Sequence, residues 1–163
     1  MERCGITSSG AFVRDQILKS NFTLGKEWSI SIDIKIDELS SGHTSVLRMT
    51  NTTIDGNVVG SRSPAIFVKP NTRKLSVVIN ANGNNWLHWS SDDIGEGWRN
   101  IKIGQKMSGD TFMYQFHVNG ELIEEVANLK PIRYENFNLY VSDRFFPATK
   151  GEFRNLEFRT TLY

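Results

Sequence analysis

Residues 28–37 read WSISIDIKID, and their pattern decides the fold class. Trp28, Ile30, Ile32, Ile34 and Ile36 fall on one side of an extended chain, Ser29, Ser31, Asp33, Lys35 and Asp37 on the other. Strict alternation of this kind marks a strand with one face on a core and one in water. Shorter versions recur in HTSVLRMT, PAIFVK, KLSVVINA, NIKIGQ, TFMYQFHV, ELIEEVA, FNLYVS and FRNLEF. Between them stand SSGH, KPNTRK, NANGNN, MSGD and VNGE, whose Gly, Pro, Asn and Ser residues suit chain reversals. No stretch carries helical spacing with caps. The expectation is an all-β, antiparallel sandwich of about ten to twelve short strands, occupying residues 1–163 as one domain.

Composition narrows the function classes. The chain has 163 residues, 39% hydrophobic and 23% charged, enough to bury a core without internal staples. Nineteen Lys and Arg stand against 18 Asp and Glu, so no net field gathers nucleic acid. No apolar run reaches the roughly 20 residues of a membrane span. MERCGITSSG has no apolar signal-peptide core, leaving the chain either cytosolic or already processed. Cys4 is the only cysteine, so an internal disulfide and a paired-cysteine metal site are excluded. It is either a free thiol or the bridge of a homodimer across a two-fold axis. Two N-x-Thr triplets, at Asn21 and Asn51, fit a secreted chain.

Four pieces in order, GWRNIKI (97–103), FHVNGELIEEV (116–126), NFNLYVS (136–142) and GEFRNLEF (151–158), carry a family likeness. An alternating strand opened by Trp, a hairpin turning at Asn119-Gly120, and a closing Gly-x-aromatic-x-Asn-Leu strand resemble the second half of concanavalin-A-like and laminin-G-like jelly rolls. KEWSISIDIKI and HTSVLRMT resemble the first half, so the likeness spans roughly residues 24–160. Within it the chain is most similar to the sea-anemone galactose-binding lectins. The resemblance implies two antiparallel sheets, a sugar or protein ligand at the rim or concave face, and often a calcium ion among the rim loops. It also implies an aspartate at the start of the strand PAIFV, where this chain has Ser61, Arg62 and Ser63.

If the strands alternate in direction, the loops divide between two rims. The first gathers 24–27, 51–63, 81–85, 107–110 and 128–135; the second gathers 37–42, 70–73, 91–97, 118–120 and 142–151. Asp55, Asn57, Asn80, Asn82 and Glu135 are candidate metal ligands at the first, because calcium takes six to eight oxygen donors of these types. The same asparagines equally suit left-handed turns. At the second rim the candidates are Glu38, Asp92, Asp93, Glu96 and Asp143, whose charges would repel without a cation or a basic partner. Trp86 and His88 share a strand face in NANGNNWLHWSSDD (80–93), with DD opening the loop beyond. With Arg62, Arg144, Phe145 and Phe146 they are candidate sugar contacts, since a ring face packs on C–H groups while polar groups bind hydroxyls.

Catalytic signals are missing from the sequence. Hydrolases of this architecture carry a Glu-x-Asp-x-x-Glu strand, and IEEVAN and SDDIGE lack the spacing that brings two carboxylates to about 5 Å. His43, His88 and His117 lack zinc-ligand spacing, and no phosphate-cradling or dinucleotide motif occurs. The expected protein is not an enzyme. It is a secreted, calcium-dependent lectin for terminal galactose or lactose; the alternative is a laminin-G-like module that binds a protein.

Overall fold

The computed structural model describes residues 9–163 and the backbone of residues 2–5. Thirteen strands are present among them, more than the alternation alone predicts. They are β1 (Glu2–Gly5), β2 (Gly10–Ala11), β3 (Ile17–Leu24), β4 (Trp28–Ile36), β5 (Thr44–Thr50), β6 (Ala65–Val68) and β7 (Lys74–Ala81), then β8 (Asn84–Asp93), β9 (Arg99–Ser108), β10 (Thr111–Val118), β11 (Glu121–Asn128), β12 (Tyr134–Tyr140) and β13 (Gly151–Thr160). The first sheet, A, has the order β1-β13-β4-β9-β10-β11, with β2 also on β13; the second, B, has the order β3-β12-β5-β6-β7-β8. Every pairing between strands is antiparallel.

The stretch quoted above becomes β4, at the centre of sheet A between β13 and β9. Its five apolar residues are all buried, with Ile32 and Ile34 at 0% exposure. Each such side chain stabilises the fold by roughly 1.5–3 kcal/mol when fully buried. Facing them from sheet B are Leu47, Met49, Ile66, Val77, Ile79 and Leu139. Aromatic edges lock the two layers: Phe22 of β3 lies 5.0 Å from Phe158 of β13, and Trp89 of β8 lies 6.0 Å from Tyr114 of β10.

Most loops divide between two rims as the alternation predicts, the exceptions being 51–63 and 142–151, which fold over sheet B towards each other. Asn51 Nδ2 donates to the Glu135 carbonyl (3.2 Å) and the Asn82 amide donates to Asn128 Oδ1 (2.9 Å) at the first. Asp37 N donates to the Lys150 carbonyl (2.8 Å) and Ile94 N to the Arg73 carbonyl (3.0 Å) at the second. The tight turns Asn82-Gly83 and Asn119-Gly120 have positive φ at both residues, as a primed hairpin turn demands. One boundary differs from expectation. Asp92 and Asp93 end β8 instead of opening the next loop.

The outer faces of the two sheets differ. Sheet B is covered by the 51–63 loop and by the 141–150 connection to sheet A, whose Phe146 caps a small apolar cluster of Ala65, Phe67 and Val78 there. Sheet A is left open. At its far edge β1 lies against β13 with Glu2 opposite Thr160, so the start and end of the paired backbone are neighbours. The Cys4 side chain, and with it the expected intermolecular bridge, lies outside the described residues.

Candidate functional site

Asp55 and Asp143, expected on opposite rims, meet at one residue that sequence reasoning missed. Arg48 is wholly buried; its Nε donates to Asp143 Oδ2 (2.9 Å) and its Nη1 to Asp55 Oδ1 (2.9 Å). Asp55 also accepts two bonds of 2.8 Å from Arg62, and Asp143 Oδ1 accepts the amides of Phe145 (2.9 Å) and Phe146 (3.0 Å). Burial alone would raise the Asp55 carboxyl, but hydrogen bonds from Arg62 and Arg48, with their charges, outweigh it and hold the carboxyl below its usual range. Both arginines lie against rings: Arg48 is 4.8 Å from the Phe145 centroid, and Arg62 is 4.0 Å from that of Trp86. The loops carrying Asp55 and Asp143 therefore fold inward over sheet B, because a buried guanidinium requires carboxylate partners.

Among the predicted sugar contacts, Arg62, Trp86 and Phe146 do converge on this face. One face of Trp86 is already covered by Arg62, although the residue is 38% exposed. His88 is nearby on β8, 2.5 Å from the Ser76 hydroxyl, and burial, then the charges of Lys69 and His43, lower its pKa. Arg144 is elsewhere, 3.4 Å from Asp15.

The remaining candidate ligands do not gather. Glu135 accepts from Thr23 (2.6 Å) and pairs with Arg133. Asn82 is bonded to the 127–129 segment, and the Asn80 amide bonds to Asn85; Asn57 is exposed in its loop. At the second rim Glu38 pairs with Lys150 (3.6 Å) and Glu96 with Arg73 (3.9 Å). Asp93 accepts the Arg73 and Gly95 amides, which lower its carboxyl, and Asp92 is exposed. Among the described residues no group of three or more His, Cys, Asp or Glu is close enough to hold a metal ion. Asp55 and Asp143, the carboxylates drawn inward, face arginine instead of open space.

An open groove of about 460 Å³ lies instead on the outer face of sheet A. Its floor is set by register: Ser29 of β4, Gly104 of β9 and Gln115 of β10 stand side by side. A Cβ on Gly104 would lie 2.5 Å from the Trp28 carbonyl oxygen, so glycine permits the close approach of β4 and leaves the floor bare. Lys102, Lys106, His117, Gln115, Glu27 and Arg159 stand around it. Gln115 Nε2 donates to Glu125 (3.0 Å), and its amide oxygen is an acceptor. Glu27 accepts the Met107 amide (2.8 Å) and the Tyr163 hydroxyl (2.8 Å), and these bonds hold its carboxyl low. Desolvation, then the nearby charges of Lys102 and Lys106, lowers the His117 pKa, so at neutral pH its imidazole both donates and accepts. The wall thus offers donors from Lys102 and Lys106 and groups of both kinds from Gln115 and His117 around a bare floor. A signal for it exists in RNIKIGQKMS, whose outward positions read Asn100, Lys102, Gly104 and Lys106, with a glycine at mid-strand.

No protein-family model and no curated protein sequence matches the chain. Solved structures do. A heptameric SAP-like pentraxin from Limulus polyphemus superposes with a TM-score of 0.57 at 13% identity, covering 87% of this chain and 67% of that one. The Trypanosoma rangeli sialidase gives 0.58 at 11%, over 81% of this chain, which spans only 20% of the enzyme. The CBM40 of a Ruminococcus gnavus IT-sialidase, solved bound to α2,3 sialyllactose, gives 0.53 at 12%, over 93% of this chain and 90% of the module. At these identities the likeness is one of fold: the chain is an antiparallel β-sandwich of the jelly-roll kind.

Proposed function

We propose that this protein binds carbohydrate, in the groove on the outer face of sheet A. The carrying observation is the bare Ser29–Gly104 floor walled by Gln115, His117 and two lysines. A pyranose presents hydroxyls around its ring, and a wall of mixed donors and acceptors matches that pattern without moving backbone. The fold neighbours support the reading, since one of them was solved with a sialylated sugar bound. The groove lining contains one carboxylate, Glu27, whereas glycosidic cleavage uses a pair; binding without catalysis is the reading adopted.

Recognition of terminal galactose, assisted by calcium and delivered by a secreted homodimer, is the narrower form implied by the sequence resemblance. No step of binding in the groove requires the ion. Calorimetric titration with a panel of neutral and acidic saccharides, in calcium and again after chelation, tests both levels. Binding of any saccharide that is lost in Gln115→Ala/His117→Ala, with thermal stability kept, supports the groove. Binding abolished by chelation would establish the calcium requirement. If no saccharide binds, the glycan reading fails and the laminin-G-like protein-binding module takes its place.

A further inference from the structure

The charged groups around the Gly104 floor are unevenly matched. Glu27, the carboxylate in the lining, is held by the Met107 amide and the Tyr163 hydroxyl. Arg159 is bound to Glu157, one residue pair along β13. Lys102 and Lys106 are exposed, and among the described residues neither forms an ion pair with a carboxylate, whereas Lys35, on the neighbouring strand, is bridged to Glu152 at 2.8 Å. The two lysines flank Gly104 on the same face of β9, roughly 13 Å apart at about 3.3 Å per residue. A saccharide seated on the bare floor therefore meets a cation towards each end, with Gln115 and His117 from β10 along its side. Opposite β10, the β4 residues across from Lys102 and Gly104 are the short, uncharged Ser31 and Ser29, and the outward acid of that strand, Asp33, is engaged by Asn100, Asn155 and Arg154.

We propose that the groove selects acidic saccharides, those bearing a carboxylate or a sulfate ester, over neutral ones, with Lys102 and Lys106 as the specificity-determining residues. This rests on the glycan-binding reading. The neutral part of the ligand bonds to Gln115 and His117, and the anionic substituent to a lysine ammonium, which acts as a point charge indifferent to the planar geometry of its partner.

The test titrates lactose, sialylated lactose and lactose carrying a sulfate ester into the full chain and into Lys102→Gln/Lys106→Gln, at low salt and at about 0.15 M ionic strength. The two acidic sugars are expected to bind about threefold to fivefold more tightly than lactose, as one partly screened charge contact allows. That advantage, read as the ratio of acidic-sugar to lactose affinity within each protein, should shrink with salt and vanish in the double variant, whose own lactose affinity sets the baseline. A preference for one acidic sugar distinguishes carboxylate from sulfate as the recognised group. Lactose bound as well as the acidic sugars, or an unchanged advantage in the double variant, overturns the inference but leaves glycan binding standing. No binding of any sugar overturns both. Polyglutamate bound as tightly, with the same lysine dependence, would overturn the saccharide and leave an acidic-peptide site.

Discussion

At the scale of single residues, Arg48 shows how a charge can be structural. Its guanidinium is wholly buried and touches Asp143, Asp55 and the Phe145 ring. Asp143 is itself 1% exposed, so removing the arginine would leave a buried carboxylate with only amide donors. Arg48→Ala is expected to destabilise the protein by about 3–5 kcal/mol, read as a lowered urea midpoint with an unchanged slope. A loss below about 1 kcal/mol would mean that the 141–150 loop relaxes to hydrate Asp143. The sequence shows that Asp143 and its neighbours need a cation or a basic partner but not which one, because the alternation in HTSVLRMT marks apolar residues and is silent on what covers the arginine between them. It does point outward, yet beneath a covering that alternation does not encode.

Elements were legible in proportion to how one-sided they are. β4 and β9 have one face in the core and one in water, and their period of two is plain. β5 is buried at all seven positions, with a register shift between Ser45 and Leu47, so its pattern blurs. β3 went unread because its pairing with β12 is irregular at three places and only Phe22 and Leu24 are buried. In β9 the position that matters is Gly104. Gly104→Val would press a side chain onto the Trp28 carbonyl and fill the groove floor. It should cost about 1–3 kcal/mol and abolish saccharide binding, measured by thermal melting and titration of the same preparation. Binding that survived would place the ligand elsewhere.

Across the whole molecule, two carboxylates on opposite outer faces tie stability to pH. On sheet A, burial would raise Asp33, but hydrogen bonds from Asn100, Asn155 and Arg154 prevail and lower it; on sheet B, Asp55 is lowered by Arg62 and Arg48. A carboxyl depressed on folding contributes stability that is fully present above its unfolded value, about 3.9, and is lost as pH falls through the folded value. The melting temperature should therefore hold level down to about pH 5 and drop below about pH 4. Asp55→Asn should start lower and fall less steeply, and an equal slope in both proteins would argue against this source. The candidate groove was illegible at this scale for a related reason: Ser29, Gly104, Gln115 and Arg159 come from four strands and meet only through sheet register. Rim loops announce themselves by composition, whereas a sheet face is assembled by pairing.

The antiparallel seating of β1 on β13, with Glu2 across from Thr160, has a mechanical consequence. Tension applied to the two ends would enter the sheet at neighbouring points and pull β1 away like a zipper, rupturing its hydrogen bonds in sequence. The load would be relieved before it reached β4 and β9, so the strands that floor the groove would keep their shape while the seam beside them opened.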